Sequence, residues 1–138
     1  MIASQGVVFF CEDVREEIGE KLSYMGVLGP EVWVMGPLTL VNCIFLFWTS
    51  EREVSVKAEF EAENAPEGFK LRPGFEQIMQ RPEGDTSERW MLQMKGRYAL
   101  KIGKDPFQFT ARFHVGSQTY WNSLVLDPNL PDDFDPSA

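Results

Sequence analysis

Residues 53–63, Glu-Val-Ser-Val-Lys-Ala-Glu-Phe-Glu-Ala-Glu, alternate polar and apolar side chains without a break. That is the period of a β-strand with one face in a core and the other in water. Val54, Val56, Ala58, Phe60 and Ala62 form the inward set, and Glu53, Ser55, Lys57, Glu59, Glu61 and Glu63 the outward one. Phe107–Val115 repeats the pattern, with Phe107, Phe109, Ala111, Phe113 and Val115 inward and Gln108, Thr110, Arg112 and His114 outward. Leu38–Thr49 differs, because both of its alternating sets are apolar: Leu38, Leu40, Ile44, Leu46 and Trp48 on one side, Val41, Cys43, Phe45 and Phe47 on the other. A strand of that kind is covered on both faces.

The short polar linker Ser50-Glu51-Arg52 predicts that Leu38–Thr49 and Glu53–Glu63 form an antiparallel hairpin. Further strands are expected at Gly6–Cys11, Glu31–Met35, Ser87–Lys95, Tyr98–Ile102 and Tyr120–Leu126, with short edge pieces around Phe69–Leu71 and Phe75–Met79. Gly96-Arg97 and Gly116-Ser117 read as turns. Between Glu12 and Leu28 a hairpin or a single helical turn is favoured over a helix, since Gly19 would cost about 1 kcal/mol inside one. Eight or nine short strands with turn signals between them, and no long helix, predict an all-β, antiparallel, immunoglobulin-like β-sandwich over residues 1–126. Asp127–Ala138 holds four Asp and three Pro and reads as an acidic tail outside the core.

Charge narrows the function classes. A net charge of −8 opposes phosphate backbones and anionic bilayers, so neither nucleic acid nor membrane is an expected partner. One His and two Cys are too few for a structural zinc site, and no Gly-rich phosphate loop opens a helix, so no cofactor is expected. The start lacks a basic signal-peptide region, and Leu38–Trp48 is about half the length of a membrane-spanning helix. The expected location is cytoplasmic.

Several residue groups invite a sharper reading. Glu59, Glu61 and Glu63 suggest a cation, but same-face neighbours on one strand lie roughly 6–7 Å apart, and a solvated face is the simpler account. His114 is the lone histidine, with Cys11 as a conceivable nucleophile beside it. A thiol in apolar surroundings is inert, however, and a structural role for both is preferred. The many aromatics form either a core or the lining of a pocket for an apolar ligand. The doubly apolar Leu38–Thr49 raises a further possibility, that a second subunit covers one of its faces.

The N-terminal third resembles a family of small bacterial and phage proteins of unknown function. The residues that carry the resemblance are Cys11-Glu12-Asp13-Val14-Arg15-Glu16-Glu17, Gly19, Lys21, Ser23, Met25-Gly26-Val27 and the Pro37-Leu38 pair. The chain departs from that pattern at Glu20, where the family tends to carry a second glycine. The resemblance implies a compact β-sandwich, brings no activity with it, and gathers Asp13, Arg15, Glu17 and Lys21 into a charged cluster beside the first turn. Together with Phe45 and Phe47 these four residues make up the expected interaction surface. The chain is thus expected to be a non-catalytic binding or structural module that contacts a protein partner or self-associates as a homodimer. The alternative is a β-barrel holding a small apolar ligand.

Overall fold

The computed structural model describes residues 4–17, 21–34 and 36–129. These form nine strands and no helix: β1 (Gln5–Glu17), β2 (Lys21–Leu28), β3 (Glu31–Trp33), β4 (Leu38–Thr49), β5 (Glu53–Glu63), β6 (Phe75–Gln80), β7 (Trp90–Lys101), β8 (Phe107–Val115) and β9 (Gln118–Asp127). Two sheets pack face to face, a four-stranded one in the order β2-β1-β4-β7 and a five-stranded one in the order β3-β9-β8-β5-β6. The expected β-sandwich is therefore what the chain forms. Within it, β1-β4-β7 against β9-β8-β5-β6 is the immunoglobulin arrangement A-B-E against G-F-C-C′. β2 extends the first sheet beyond A, and β3 extends the second beyond G as a parallel strand. Among the described residues no D strand follows β6, and the sandwich is not a closed barrel.

Three local expectations are corrected. β4 and β5 do not form a hairpin: β4 pairs with β1 and β7, while β5 crosses to the other sheet and pairs with β6 and β8. A three-residue linker permits a hairpin but also a step between layers, and β4, apolar on both faces, belongs in the middle of a sheet. Gly96-Arg97 is not a turn, since β7 runs unbroken through it with Gly96 opposite Cys43. The absent side chain is needed for packing, because a Cβ at Gly96 would lie 2.6 Å from the Tyr98 hydroxyl. The first strand is also longer than Gly6–Cys11. It continues to Glu17 and pairs with β2 from Phe10↔Leu28 to Glu17↔Lys21, so the hairpin reading of this segment holds. Gly19 and the tail beyond Asn129 lie outside the described residues.

The core between the layers is aromatic. Phe45 of the first sheet stacks on Phe113 of the second at 4.6 Å, Tyr98 meets Phe60 at 5.1 Å, and Phe10 meets Phe109 edge-on at 5.9 Å. Buried aromatic pairs contribute about 0.5–1.5 kcal/mol each beyond the area they remove from water. A polar tie joins the layers on the β1/β9 side, where the Asn122 side-chain amide donates to the Val8 carbonyl at 3.0 Å. On the opposite side the edge strands β6 and β7 belong to different sheets and leave a seam.

Candidate interaction surface and seam slot

The seven consecutive residues Val41–Phe47 of β4 are all buried. Val41, Cys43, Phe45 and Phe47 face the five-stranded sheet and belong to the main core. Phe45 and Phe47 are therefore not part of an interaction surface in this chain, because the second sheet already covers them. The opposite set begins a separate cluster of Cys11, Ile44 and Leu46, against which Phe9, Val14, Tyr24 and Trp48 pack.

That outer cluster is closed by a reach across the sheet. Tyr24 on β2 donates its hydroxyl to the Gln93 side-chain carbonyl on β7, so the pair spans the two intervening strands. Strict alternation would put Val14 on the opposite side of β1 from Cys11, yet both meet the cluster. The ladder skips the Glu12/Gly26 pair, and Gly26 has φ +63°, a left-handed backbone that resets the direction of the neighbouring side chains. The Glu12 carbonyl released there accepts a hydrogen bond from the buried Asn42 side chain at 2.9 Å.

Around this closed centre the same sheet face exposes Val7, Leu38, Leu40 and Met91, each more than two fifths accessible. Lys95 and Arg97 lie alongside on β7, paired in register with Ile44 and Asn42, and form no ion pair among the described residues. At the other flank the β1–β2 ribbon carries exposed Glu12, Asp13, Arg15, Glu16 and Glu17. Of the four charged residues expected to cluster there, Asp13 and Arg15 form a solvated ion pair at 3.3 Å. Glu17 and Lys21 are cross-strand partners at the ribbon's end. The face thus runs from an acidic edge, through an apolar middle, to a basic edge.

The outer face of the other sheet is dressed differently. Arg112 pairs with Glu61 at 2.8 Å, Lys57 with Glu59 at 3.4 Å, and His114 lies 3.3 Å from Glu59 and 2.9 Å from the Thr119 hydroxyl. The hydrogen bonds from His114 and then Lys57 hold the Glu59 carboxyl below the usual range. Charged groups on an open sheet face make a solvated surface, as the alternation of β5 and β8 predicts. Among the described residues no group of His, Cys, Asp and Glu is arranged to hold a metal ion.

The two cysteines are free and point to opposite faces of the first sheet, Cys43 into the main core and Cys11 into the outer cluster. Burial pushes the Cys43 thiol up to about 12 and raises that of Cys11 as well. Cys11 is not near His114, which sits on the other sheet's outer face.

Two concavities complete the inventory. A wide polar one of about 720 Å³ lies among the loops at one end, lined by Arg52, Arg81, Glu83 and Asp85, and is open to solvent. A narrower slot of about 260 Å³ opens at the seam between β6 and β7, with Cys43, Met94, Tyr98 and Phe113 at its base and Phe75, Met79 and Arg72 along its side. The sequence gives the aromatic lining but not the slot, because its existence depends on which edge strands fail to meet.

No protein-family model matches this chain, and no curated protein matches its sequence. Among the described residues no helix is long and apolar enough to cross a membrane.

Proposed function

We propose that this protein is a non-catalytic binding module that self-associates through the outer face of its four-stranded sheet. The observation that carries the reading is the contrast between two sheet faces of one sandwich. One sets its exposed Trp121 and Ile78 among paired charges, while the other carries a field of Val7, Leu38, Leu40 and Met91 around an apolar covered centre. Exposed apolar surface of that extent on a small domain marks a contact site. A bacterial or phage origin and a place in the resembling family fit the reading and rest on the N-terminal residues alone.

A second copy is the partner that the charges suit. A two-fold axis parallel to the strands lays the β7 edge of one copy over the net-acidic β1–β2 ribbon of the other, where Glu16 shares the side of Val14, so that Lys95 and Arg97 approach negative charge. An isologous contact forms both such pairings at once. Four strands at about 4.8 Å spacing and twelve residues at about 3.3 Å rise give a face of roughly 760 Å². That clears the roughly 500 Å² per partner that a specific interface needs. Light scattering over a concentration series is the test. A mass rising toward twice 15.8 kDa supports the reading, and a monomeric mass at the highest concentration removes it.

A further inference from the structure

We propose that the free edge of β6 takes up an extended, cationic segment of a partner protein as an added antiparallel strand of the five-stranded sheet. The backbone fixes which groups are on offer. The Arg81 N–H donates to the Arg52 carbonyl at 2.8 Å, and these two residues continue the register that pairs Met79 with Val54 and Gln77 with Val56. Bonded and unbonded pairs alternate along an antiparallel ladder, so the backbone groups of Phe75, Gln77 and Met79 bond to β5. Those of Glu76, Ile78 and Gln80 point away from it, and among the described residues no strand lies beyond them. The other three sheet edges are guarded. β2 carries the left-handed break at Gly26, β3 is three residues long, and β7 presents Lys95, Arg97 and Lys101. Bulges, short length and lysines are devices that keep an edge from pairing. β6 has none of them: Phe75–Gln80 contains the single charge of Glu76, no Gly and no Pro, and leaves Ile78 61 % exposed. An unguarded edge of that kind is a template for strand addition.

The side chains select the occupant. On the outer side an added strand meets Glu76, Ile78 and Gln80. Lys57 stands opposite Glu76 on β5 but is held by Glu59 at 3.4 Å. Glu76 therefore forms no ion pair among the described residues and keeps only a long hydrogen bond from the Ser55 hydroxyl at 3.4 Å. A lysine across from Glu76 and a β-branched residue across from Ile78 are the cross-strand neighbours that stabilise such positions. The chain's net charge of −8 draws a cationic segment to them. On the inner side the added strand looks across the seam slot, whose walls are apolar at Phe75 and Met79, polar at Gln77 and Gln93 and cationic at Arg72 and Lys95. Those cations oppose a second positive charge, so the inner positions of the segment are aliphatic. A second copy of this chain suits the edge poorly, because its edge-on approach brings two β7 strands, each with Lys95 and Arg97, alongside one another. The backbone edge of β6 belongs to the five-stranded sheet, so strand addition does not depend on self-association through the four-stranded one.

The probe is the peptide acetyl-Thr-Val-Ile-Val-Lys-Thr-amide, which in antiparallel register sets its Ile across from Ile78 and its Lys across from Glu76. It is titrated into the isotope-labelled full chain at low chain concentration, where sheet-face association is absent, and amide hydrogen exchange is read by NMR. The expected result is saturable slowing at Glu76, Ile78 and Gln80, about tenfold when nine-tenths of the chain carries peptide, with Gln77 and Met79 unchanged because β5 already holds them. A methyl group on the backbone nitrogen of the probe's Ile, which faces β6, should abolish binding, whereas one on the following Val, which faces away, should be tolerated. A probe with Glu in place of Lys should bind about fivefold more weakly. Glu76→Lys, at an exposed position, should reverse that order. Absence of slowing, equal binding of the two methylated probes, or an order that Glu76→Lys leaves unchanged overturns the proposal. So does slowing at Glu76, Ile78 and Gln80 that grows with chain concentration in the absence of peptide, because the edge would then belong to a second copy.

Discussion

Replacing Ile44 with alanine tests whether this chain covers the second face of β4 by itself. Ile44 is wholly buried, but on the outer side of the four-stranded sheet, where Cys11, Leu46 and the side chains of Phe9, Val14, Tyr24 and Trp48 pack around it. Ile44→Ala removes three buried carbons, about 2.4 kcal/mol at roughly 0.8 kcal/mol each. The residual cavity brings the expected loss to about 3 kcal/mol. Leu40→Ala, two rows away on the same face but 48 % exposed, should cost less than about 1 kcal/mol. Urea unfolding at low protein concentration measures both, and Tyr24→Ala completes a double-mutant cycle. Because Tyr24 is what lies over the cluster, the cycle should return a coupling of at least about 0.5 kcal/mol. An Ile44→Ala loss below about 0.5 kcal/mol, or one that appears only as protein concentration rises, would refute cover from within the chain.

Further expectations follow from the buried thiols and the charged sheet face. With its thiol pushed up to about 12, Cys43 has roughly one part in ten thousand as thiolate at pH 8. Native protein should therefore react negligibly with a thiol reagent at Cys43 and release two thiols in denaturant; a disulfide would release none. The Glu59 carboxyl is lowered by His114 and Lys57, so its stabilising effect is present above the ordinary glutamate range and is lost as pH falls through its own lowered value. A carboxyl-carbon NMR titration should find Glu59 titrating below the ordinary glutamate range, and His114→Gln should bring its midpoint up; an unmoved midpoint would contradict the assigned cause.

The β pattern was readable because alternation in β5 and β8 is enforced by water on one side and aromatics on the other. The expected cover on both faces of Leu38–Thr49 holds for Val41–Phe47 for the same reason, but Leu38 and Leu40, equally apolar, lie near the sheet's end and stay exposed. What patterning could not supply was which strands pair. A short linker such as Ser50-Glu51-Arg52 suits a hairpin or a step between sheets equally well, and only the competition for the centre of a sheet decides. Gly96 misled in a similar way: glycine signals a turn locally, but here it serves a tyrosine two residues along. The assignment of Phe45 and Phe47 to a surface failed because two apolar faces cannot be told apart by composition. The contrast between Ile44 and Phe45 emerges only when the second sheet is placed. Of Asp13, Arg15, Glu17 and Lys21, which the resemblance gathers into one cluster, the hairpin sets Glu17 opposite Lys21, while Asp13 and Arg15 pair along their own strand.

Sedimentation velocity of the wild type beside a Val7→Lys, Met91→Lys double variant tests the proposed self-association most directly. Both residues are more than two fifths exposed on the outer sheet face, so the substitutions leave the monomer's core untouched. The wild type should shift from monomer to dimer with rising concentration, while the double variant, with its apolar field interrupted by charge, should stay monomeric with an unchanged urea midpoint. A wild type that remains monomeric throughout, or a variant that dimerises as well as the wild type, would contradict the account.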